Sequence, residues 1–446
     1  ILWQVLVQQE TLSRLAKDKR IEFRELYMGH FCGLDFGTSN SALSASIDGE
    51  VQLVSLDDGL KPRKIIPSAI FFNAEEKTRV FGARAIDEYV DGYVGRLMRS
   101  LKSVLGSSLM GGKTEVGASA VNYGDIIGMF VRFMKEQGEQ QLGDSLEHVV
   151  VGRPVFFVDE DPEADRKAQS ELEAIVKAVG FKSVSFEFEP IAAALDYERQ
   201  LDTESTVLTV DIGGGTSDFS IMSLSPKKVM TDDRAQDILA HAGVHIGGTD
   251  FDRALSLHSV LPAFGLGSKL ESGLDIPVMQ FHELATWHEI NNLYTREATD
   301  MIKSLKLRST SPELIARFIK LLDQRRGHYL AQLVENAKVA LSESDATHVN
   351  LDFVEKGLDI PVSQQDLKEA TESRVERIMS TAEETVKMAG LTKDKIDRIV
   401  LTGGSTAMPG FEASVQACFP ETPIVKGDRF ASIGQGLGLV AQNRYR

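Results

Sequence analysis

Cysteine is nearly absent: two occur in 446 residues, Cys32 and Cys418, far apart and each within an apolar segment. That excludes a disulfide framework and a Cys/His metal site, and it predicts buried thiols in a reducing, cytoplasmic setting. No run of 18 or more apolar residues occurs, so no membrane-spanning helix is expected, and the opening ILWQVLVQQ turns polar too soon for a secretory signal. Basic residues are the minority, 49 against 65 acidic, for a formal charge of −16. With no concentrated basic patch, general affinity for nucleic acid or an anionic membrane is excluded. What is present is ordinary for a globular chain: 42% hydrophobic and 26% charged residues. The length suggests about two to four domains at roughly 150 residues each.

Residues 1–27 mix five basic with four acidic residues and lack the motifs found beyond Met28. This leader is expected to lie outside the fold; the alternative is an amphipathic helix that docks on a partner.

One internal echo organises the rest. FCGLDFGTSNSALSASIDGEVQLV reads as two strand-like runs joined at the Asp48-Gly49 turn, with Asp35 near the end of its first apolar stretch. VLTVDIGGGTSDFSIMSLS repeats the pattern at Val207: an apolar strand, an acid (Asp211), glycines, a threonine, another strand. The two aspartates are 176 positions apart, about one domain length. Two similar lobes facing a shared cleft are the simplest reading, residues 28–205 and 206–446, with a mainly helical subdomain at about 252–345. Strand, helix, strand and helix alternate from HVVVGRPVFF to IAAALDYERQ, which implies parallel pairing and an α/β class. IDRIVLTGGSTAMPGF reads as a last strand, a Gly-Gly turn and a helix start.

Glycines at such turns let backbone N–H groups approach an anion, because no Cβ intervenes. Phosphate is the natural guest, and the hydroxyls of Thr38, Ser39 and Thr216 add donors. A carboxylate beside polyphosphate makes sense through a cation, most simply Mg2+. One such turn alone reads equally as a tight turn with a capping aspartate; three, each after an apolar strand, favour a phosphate cleft. The P-loop and the Gly-x-Gly-x-x-Gly fingerprint are both missing. SSLMGGKTEVG lacks the first glycine and a preceding strand, and reads as a surface loop.

GLDFGTSNS, EPIAAALDYE, VDIGGGTSDFSI, IGGTDFD, ENAKVALS and LTGGSTAMP, in this order, resemble the ATPase domain of DnaK-type heat-shock chaperones, and most nearly the short YegD-type members. The resemblance runs from about Phe31 to Ala441. It implies a two-lobed actin-like ATPase fold, a duplicated mixed-sheet core with flanking helices and a helical insertion, that binds ATP or ADP with Mg2+. Asp35, Glu189, Asp211 and Asp218 would hold the metal through its waters. Gly37, Thr38 and Ser39 would clamp phosphate from one side, and Gly213, Gly214, Gly215 and Thr216 from the other. Gly247 and Gly248 belong to the same nucleotide set. Lys102 would reach the γ-phosphate and the attacking water; without the resemblance, Arg96, Arg99 and Lys102 read as a solvated helix face. Glu335, Lys338, Ser342, Gly403, Gly404, Ser405 and Asp428 would contact the adenosine. On spacing alone Glu335, Lys338 and Ser342 equally form an exposed face with a Glu–Lys pair.

Two departures stand out. Val339 and Ala407 occupy the places of arginines that sandwich adenine, removing cation–π contacts worth roughly 0.5 to 2 kcal/mol each. Ten residues follow Gly436, against the roughly 100 of a β-sandwich, so no peptide-binding domain is expected. The function implied is a slow ATPase acting as a nucleotide-driven switch on an unidentified protein partner. The alternatives are a kinase or polyphosphate phosphatase of the same superfamily, and a nucleotide-gated scaffold or filament subunit.

Overall fold

The computed structural model describes residues 31–56, 62–116, 119–158, 161–228, 234–425 and 431–445. The leader, 1–27, and Asp428 lie outside them.

Two mixed sheets dominate. In the first, the order is Ser183–Phe188, His148–Arg153, Phe31–Phe36, Asn40–Ile47, Glu50–Leu53, with Ile65–Pro67 also on Asn40–Ile47. In the second, it is Ile238–Val244, Ser217–Leu224, Ser205–Ile212, Arg398–Thr402, Ile424–Val425. Each central strand pairs antiparallel with the strand that follows it and parallel with a later one. The duplicated sequence pattern is therefore a duplicated topology, as the two-lobed α/β expectation requires. Buried runs such as Leu34, Phe36, Val149 and Val151 on one sheet, and Leu208, Val210, Phe219 and Ile221 on the other, seed separate cores.

Helices cover both sheets. Pro162–Val179 starts where Asp161 accepts hydrogen bonds from the amides of Glu163 and Ala164, with Pro162 at the first turn. Such a cap stabilises a helix by about 1 kcal/mol. Helices Gly248–Leu255, Met279–Ala285, Arg296–Lys306, Pro312–Asp323 and Gly327–Ala340 lie in the chain between the second-sheet strands Ile238–Val244 and Arg398–Thr402. The last helix, Ser432–Tyr445, crosses to the first sheet. Glycines permit close approach: a Cβ on Gly33 in the sheet would meet Gly438 N at 2.3 Å, and one on Gly436 would meet Ala192 O, on helix Glu189–Glu198, at 2.0 Å.

Several local readings need correction. The first glycine stretch is three strands, because Gly37–Ser39 reverses the chain as well as Asp48-Gly49. Arg96 and Arg99 lie on strand Gly95–Arg99 and Lys102 in the 3-10 turn Leu101–Val104, so they share no helix face; Ser100, at φ +56°, breaks the periodicity. SSLMGGKTEVG holds a 3-10 turn, Ser108–Gly111, and strand Lys113–Val116 paired with Ser119–Asn122. Ile424–Val425 follows the strand taken as last. Cys32 is buried, but Cys418 is half-buried and its thiol donates to Glu383 Oε1 at 3.2 Å.

Candidate functional site

Asp35 and Asp211 each stand one residue before the end of a central strand, Phe31–Phe36 and Ser205–Ile212. Past each, the chain turns back through glycine: Gly37 to Ser39 in the first lobe, Gly213 to Thr216 in the second. The second turn closes with the Gly213 amide donating to Thr216 O at 2.9 Å. The turns meet, since a Cβ on Gly214 would lie 1.8 Å from Ser39 Oγ.

Further elements converge on the Gly213–Thr216 turn. Gly248, opening its helix, donates its amide to Gly213 O at 3.0 Å, and Thr249 donates to Gly214 O at 2.8 Å. Neighbouring Gly247 is capped by Asp250, its amide donating to Oδ2 at 3.0 Å. The third glycine turn follows strand Arg398–Thr402, and Ser405 Oγ there donates to Gly213 O at 3.1 Å. Gly403 sits at φ +80°, and a Cβ on it would meet Ile212 O at 2.3 Å and Asp211 Oδ1 at 2.5 Å. A side chain there would strain the backbone and collide with the acid.

Lys338, on helix Gly327–Ala340, donates to Gly248 O at 3.1 Å and pairs with Asp252 at 2.8 Å. The exposed Glu335–Lys338 pair is therefore corrected: the ammonium turns inward to Asp252. Glu335 is half-buried and close enough to act on Asp252 electrostatically. Burial raises the Asp252 carboxyl to about 6, with Glu335 raising and Lys338 lowering it. Ser342 lies beyond the helix, exposed, its amide donating to Val339 O at 3.0 Å, and Val339 is itself exposed. Gly404 belongs to the same short turn as Ser405 and Ala407.

The acids gather around one cation. Lys102 is buried, and its ammonium donates to Glu189 Oε1 at 2.5 Å, where Glu189 opens helix Glu189–Glu198. Burial alone would depress the Lys102 ammonium, but Glu189, Asp35 and Asp211 outweigh it and raise it. The Asp35 carboxyl is pushed up to about 7 by burial and then by Glu189, against Lys102. Asp211 stands well above its ordinary value through burial, Asp218, Glu189 and Asp35. Asp218 faces it across the strand pair and accepts from Thr216 Oγ1 at 3.0 Å.

This donor set fits Mg2+. Carboxylate oxygens suit a hard cation, and four acids against one ammonium repel one another until positive charge arrives. Among the described residues, no three Asp, Glu, His or Cys side chains close on one point as direct ligands. A cation that keeps several of its waters needs few direct protein ligands.

Sequence reasoning missed Asp252, Arg153 and His241. IGGTDFD does contain two acids, Asp250 for the cap and Asp252 for Lys338, and that doubling was the available signal. Arg153 ends strand His148–Arg153, bonds Asp165 at 3.0 Å, and stacks 5.3 Å from Phe157, whose ring also lies 6.0 Å from Lys102 Nζ. His241 Nε2 lies 3.8 Å from Asp218 Oδ1.

A family model described as Hsp70 protein matches residues 112–276 and 320–436, more than half of the chain. Glu189, Asp211, the Gly213–Thr216 turn, Lys338 and Gly403–Ser405 fall inside the matched segments. Asp35, Gly37–Ser39 and Lys102 precede them, and the geometry joins them to the rest.

Proposed function

The chain belongs to the Hsp70 family of ATP-binding, chaperone-type ATPases, and on that premise we propose that its inter-lobe cleft holds Mg-ATP, hydrolyses it slowly, and converts the change into lobe closure. The observation that carries this reading is the convergence of three glycine turns beside a cluster of four carboxylates and one buried lysine.

The phosphates lie between Gly37–Ser39 and Gly213–Thr216, where backbone N–H groups and the hydroxyls of Thr38, Ser39 and Thr216 donate to them. Adenosine lies toward Gly247, Gly248, Glu335, Lys338, Ser342, Gly403, Gly404 and Ser405. Val339 and Ala407 flank the base without stacking charge, so the base is held by shape. Asp35, Glu189, Asp211 and Asp218 would hold Mg2+, which when bound supplies charge neutralisation at the phosphate oxygens.

Water attacks the γ-phosphorus as the bond to the β,γ-bridging oxygen breaks; the electron pair stays on the ADP oxygen and the water's proton passes to the released phosphate. Lys102 positions that water and offsets charge on the γ-phosphate. Glu189 fixes the ammonium, Asp211 would orient the metal, and Thr216 would orient the phosphate. Slow turnover follows from the same pairing: the Lys102 ammonium is already committed to Glu189, so the water competes for it. Hydrolysis removes the γ-phosphate that bridges the two turns, and the lobes relax.

The deciding experiment is calorimetric titration of ATP, ADP and GTP with and without Mg2+, with phosphate release under the same conditions. Mg-dependent adenine-nucleotide binding with slow phosphate release is expected. Absence of nucleotide binding at millimolar concentration would reject the reading.

A further inference from the structure

The two lobes also touch away from the acids, through an aromatic cage. Arg99 ends strand Gly95–Arg99 of the small three-stranded sheet of the first lobe, and Tyr89 lies on helix Gly82–Val90, which packs on that sheet. Trp287 and His328 come from the helical part of the second, and His328 is the second residue of helix Gly327–Ala340. The His328 ring stands edge-on to Tyr89 and to Trp287, each 4.9 Å away at 71°. Tyr89 and Trp287 lie 6.4 Å apart, and Arg99 Cζ sits 4.6 Å over the Trp287 ring.

Burial and the nearby Arg99 disfavour a charged imidazole, while its hydrogen bond to the Trp287 carbonyl works the other way. Nε2 lies 3.1 Å from the Trp287 carbonyl, which only accepts, so Nε2 carries the hydrogen and Nδ1 is bare. Tyr89 Oη lies 3.5 Å from the same nitrogen. Charged and titratable groups near the cage, among the described residues, include Arg99 over Trp287, Arg96 acting on Tyr89, Tyr89 acting on Tyr294, Arg325 over Tyr294, Arg326 over Tyr329, the Arg84–Glu88 pair beside Tyr89, and His288, next to Trp287 in the chain and 3.9 Å from Glu289. Among the described residues, no carboxylate pairs with His328. A proton on Nδ1 therefore places a second cation beside Arg99, on the ring that Arg99 already uses.

We propose that Tyr89, Arg99, Trp287 and His328 form a proton-sensitive latch between the lobes, which opens for nucleotide to leave. The proposal rests on the cleft reading above for what is released, though the latch is defined without it. Helix Gly327–Ala340 couples the two, because it bears His328 at one end and Lys338 near the other, about 15 Å along the axis. Arg99 also acts electrostatically on Asp252, the partner of Lys338.

Burial, with Arg99 adding to it and the Trp287 carbonyl opposing, holds closed-state His328 down to about 4. In the open state the ring returns to the ordinary value of about 6.5. Linkage then favours opening by about tenfold on going from pH 7.5 to 5.5.

The test uses the full chain with Trp3→Phe, so that Trp287 is its one tryptophan. Its fluorescence is titrated from pH 7.5 to 5.0 without nucleotide, and release of a fluorescent ADP analogue is timed at pH 7.5 and 5.5. A fluorescence transition that His328→Phe abolishes is expected, with release about tenfold faster at pH 5.5 in the parent and a smaller change in the variant. The variant keeps every cleft carboxylate, so the difference between the two chains belongs to His328. Tyr89→Ala opens the latch from the other lobe and should release at pH 7.5 as fast as the parent at pH 5.5. Identical pH profiles in parent and His328→Phe, or parental release in Tyr89→Ala, overturn the latch. Failure of the analogue to bind rejects the cleft reading instead and leaves the fluorescence arm to decide the latch.

Discussion

Ser39 and Gly214, one from each lobe, are in contact: a Cβ added to Gly214 would stand 1.8 Å from Ser39 Oγ and 2.7 Å from its Cβ. The glycine keeps the two turns close enough for one anion to touch both, and its missing side chain is what the serine fills.

Gly214→Ala should therefore push the first turn away. Nucleotide affinity is expected to fall at least tenfold, about 1.4 kcal/mol, because donors on one side lose contact. Stability should fall by roughly 1 to 3 kcal/mol, the usual range for an overpacked site. Calorimetry and urea unfolding measure the two; parental affinity in the variant would show that the turns do not share the phosphate.

Lys102→Ala removes the single ammonium from a cluster of acids. Turnover should drop at least tenfold, while ADP binding changes little, since the proposed contact is to the γ-phosphate and its water. Glu335→Ala should act the other way, weakening ATP and sparing the rate at saturation. Single-turnover phosphate release with separate binding titrations distinguishes them, and equal effects on both quantities in Lys102→Ala would remove its catalytic assignment.

Stability depends on a second, fully buried ion cluster remote from the acids. Arg234 forms two hydrogen bonds to Glu198, at 3.0 and 2.7 Å, and bonds Asp237, while Glu198 is wholly enclosed and also accepts from the Ser225 amide. Arg234→Met leaves the Glu198 charge without its cation, which costs about 3 to 5 kcal/mol. Chemical unfolding checks this, and the paired variant Arg234→Met with Glu198→Leu should recover most of the loss. A single variant as stable as the parent would mean that the pair holds little of the fold.

Local chemistry was legible in the chain; convergence was not. An apolar strand ending in an acid and glycines marks itself by residue type, so Asp35, Asp211 and the three turns stood out. Lys102 carried no such mark, since it follows a strand and Ser100 at positive φ, and only folding sets it against Glu189, 87 positions away. The latch joins Tyr89 to His328 across 239 positions, from helices whose periodicity shows that they bury a face but not against what. The last helix packs on the first sheet through Gly33 and on helix Glu189–Glu198 through Gly436, glycines that a helical or strand pattern leaves unexplained.

Asp211→Asn separates function from stability most sharply. In the protein alone, Asp211 is a buried acid crowded by Asp218, Glu189 and Asp35, and its carboxyl stands well above the ordinary value. Asparagine keeps the size and hydrogen bonding and removes one member of that repulsion. Without Mg2+ or nucleotide, the variant should be as stable as the parent or more so, by up to about 2 kcal/mol, the effect of relieving an uncompensated buried charge. With Mg-ATP the sign reverses, because the cation loses half of the Asp35 and Asp211 pair that faces it. Turnover is expected to fall at least tenfold, and half-saturation by Mg2+ to move upward, while Mg-free nucleotide binding stays near parental because the glycine donors remain. Thermal unfolding with and without Mg-ATP, beside phosphate release across a Mg2+ series, measures all three. A variant that hydrolyses ATP at the parental rate with unchanged Mg2+ dependence would reduce VDIGGGTSD to a structural turn and remove the metal from this cleft.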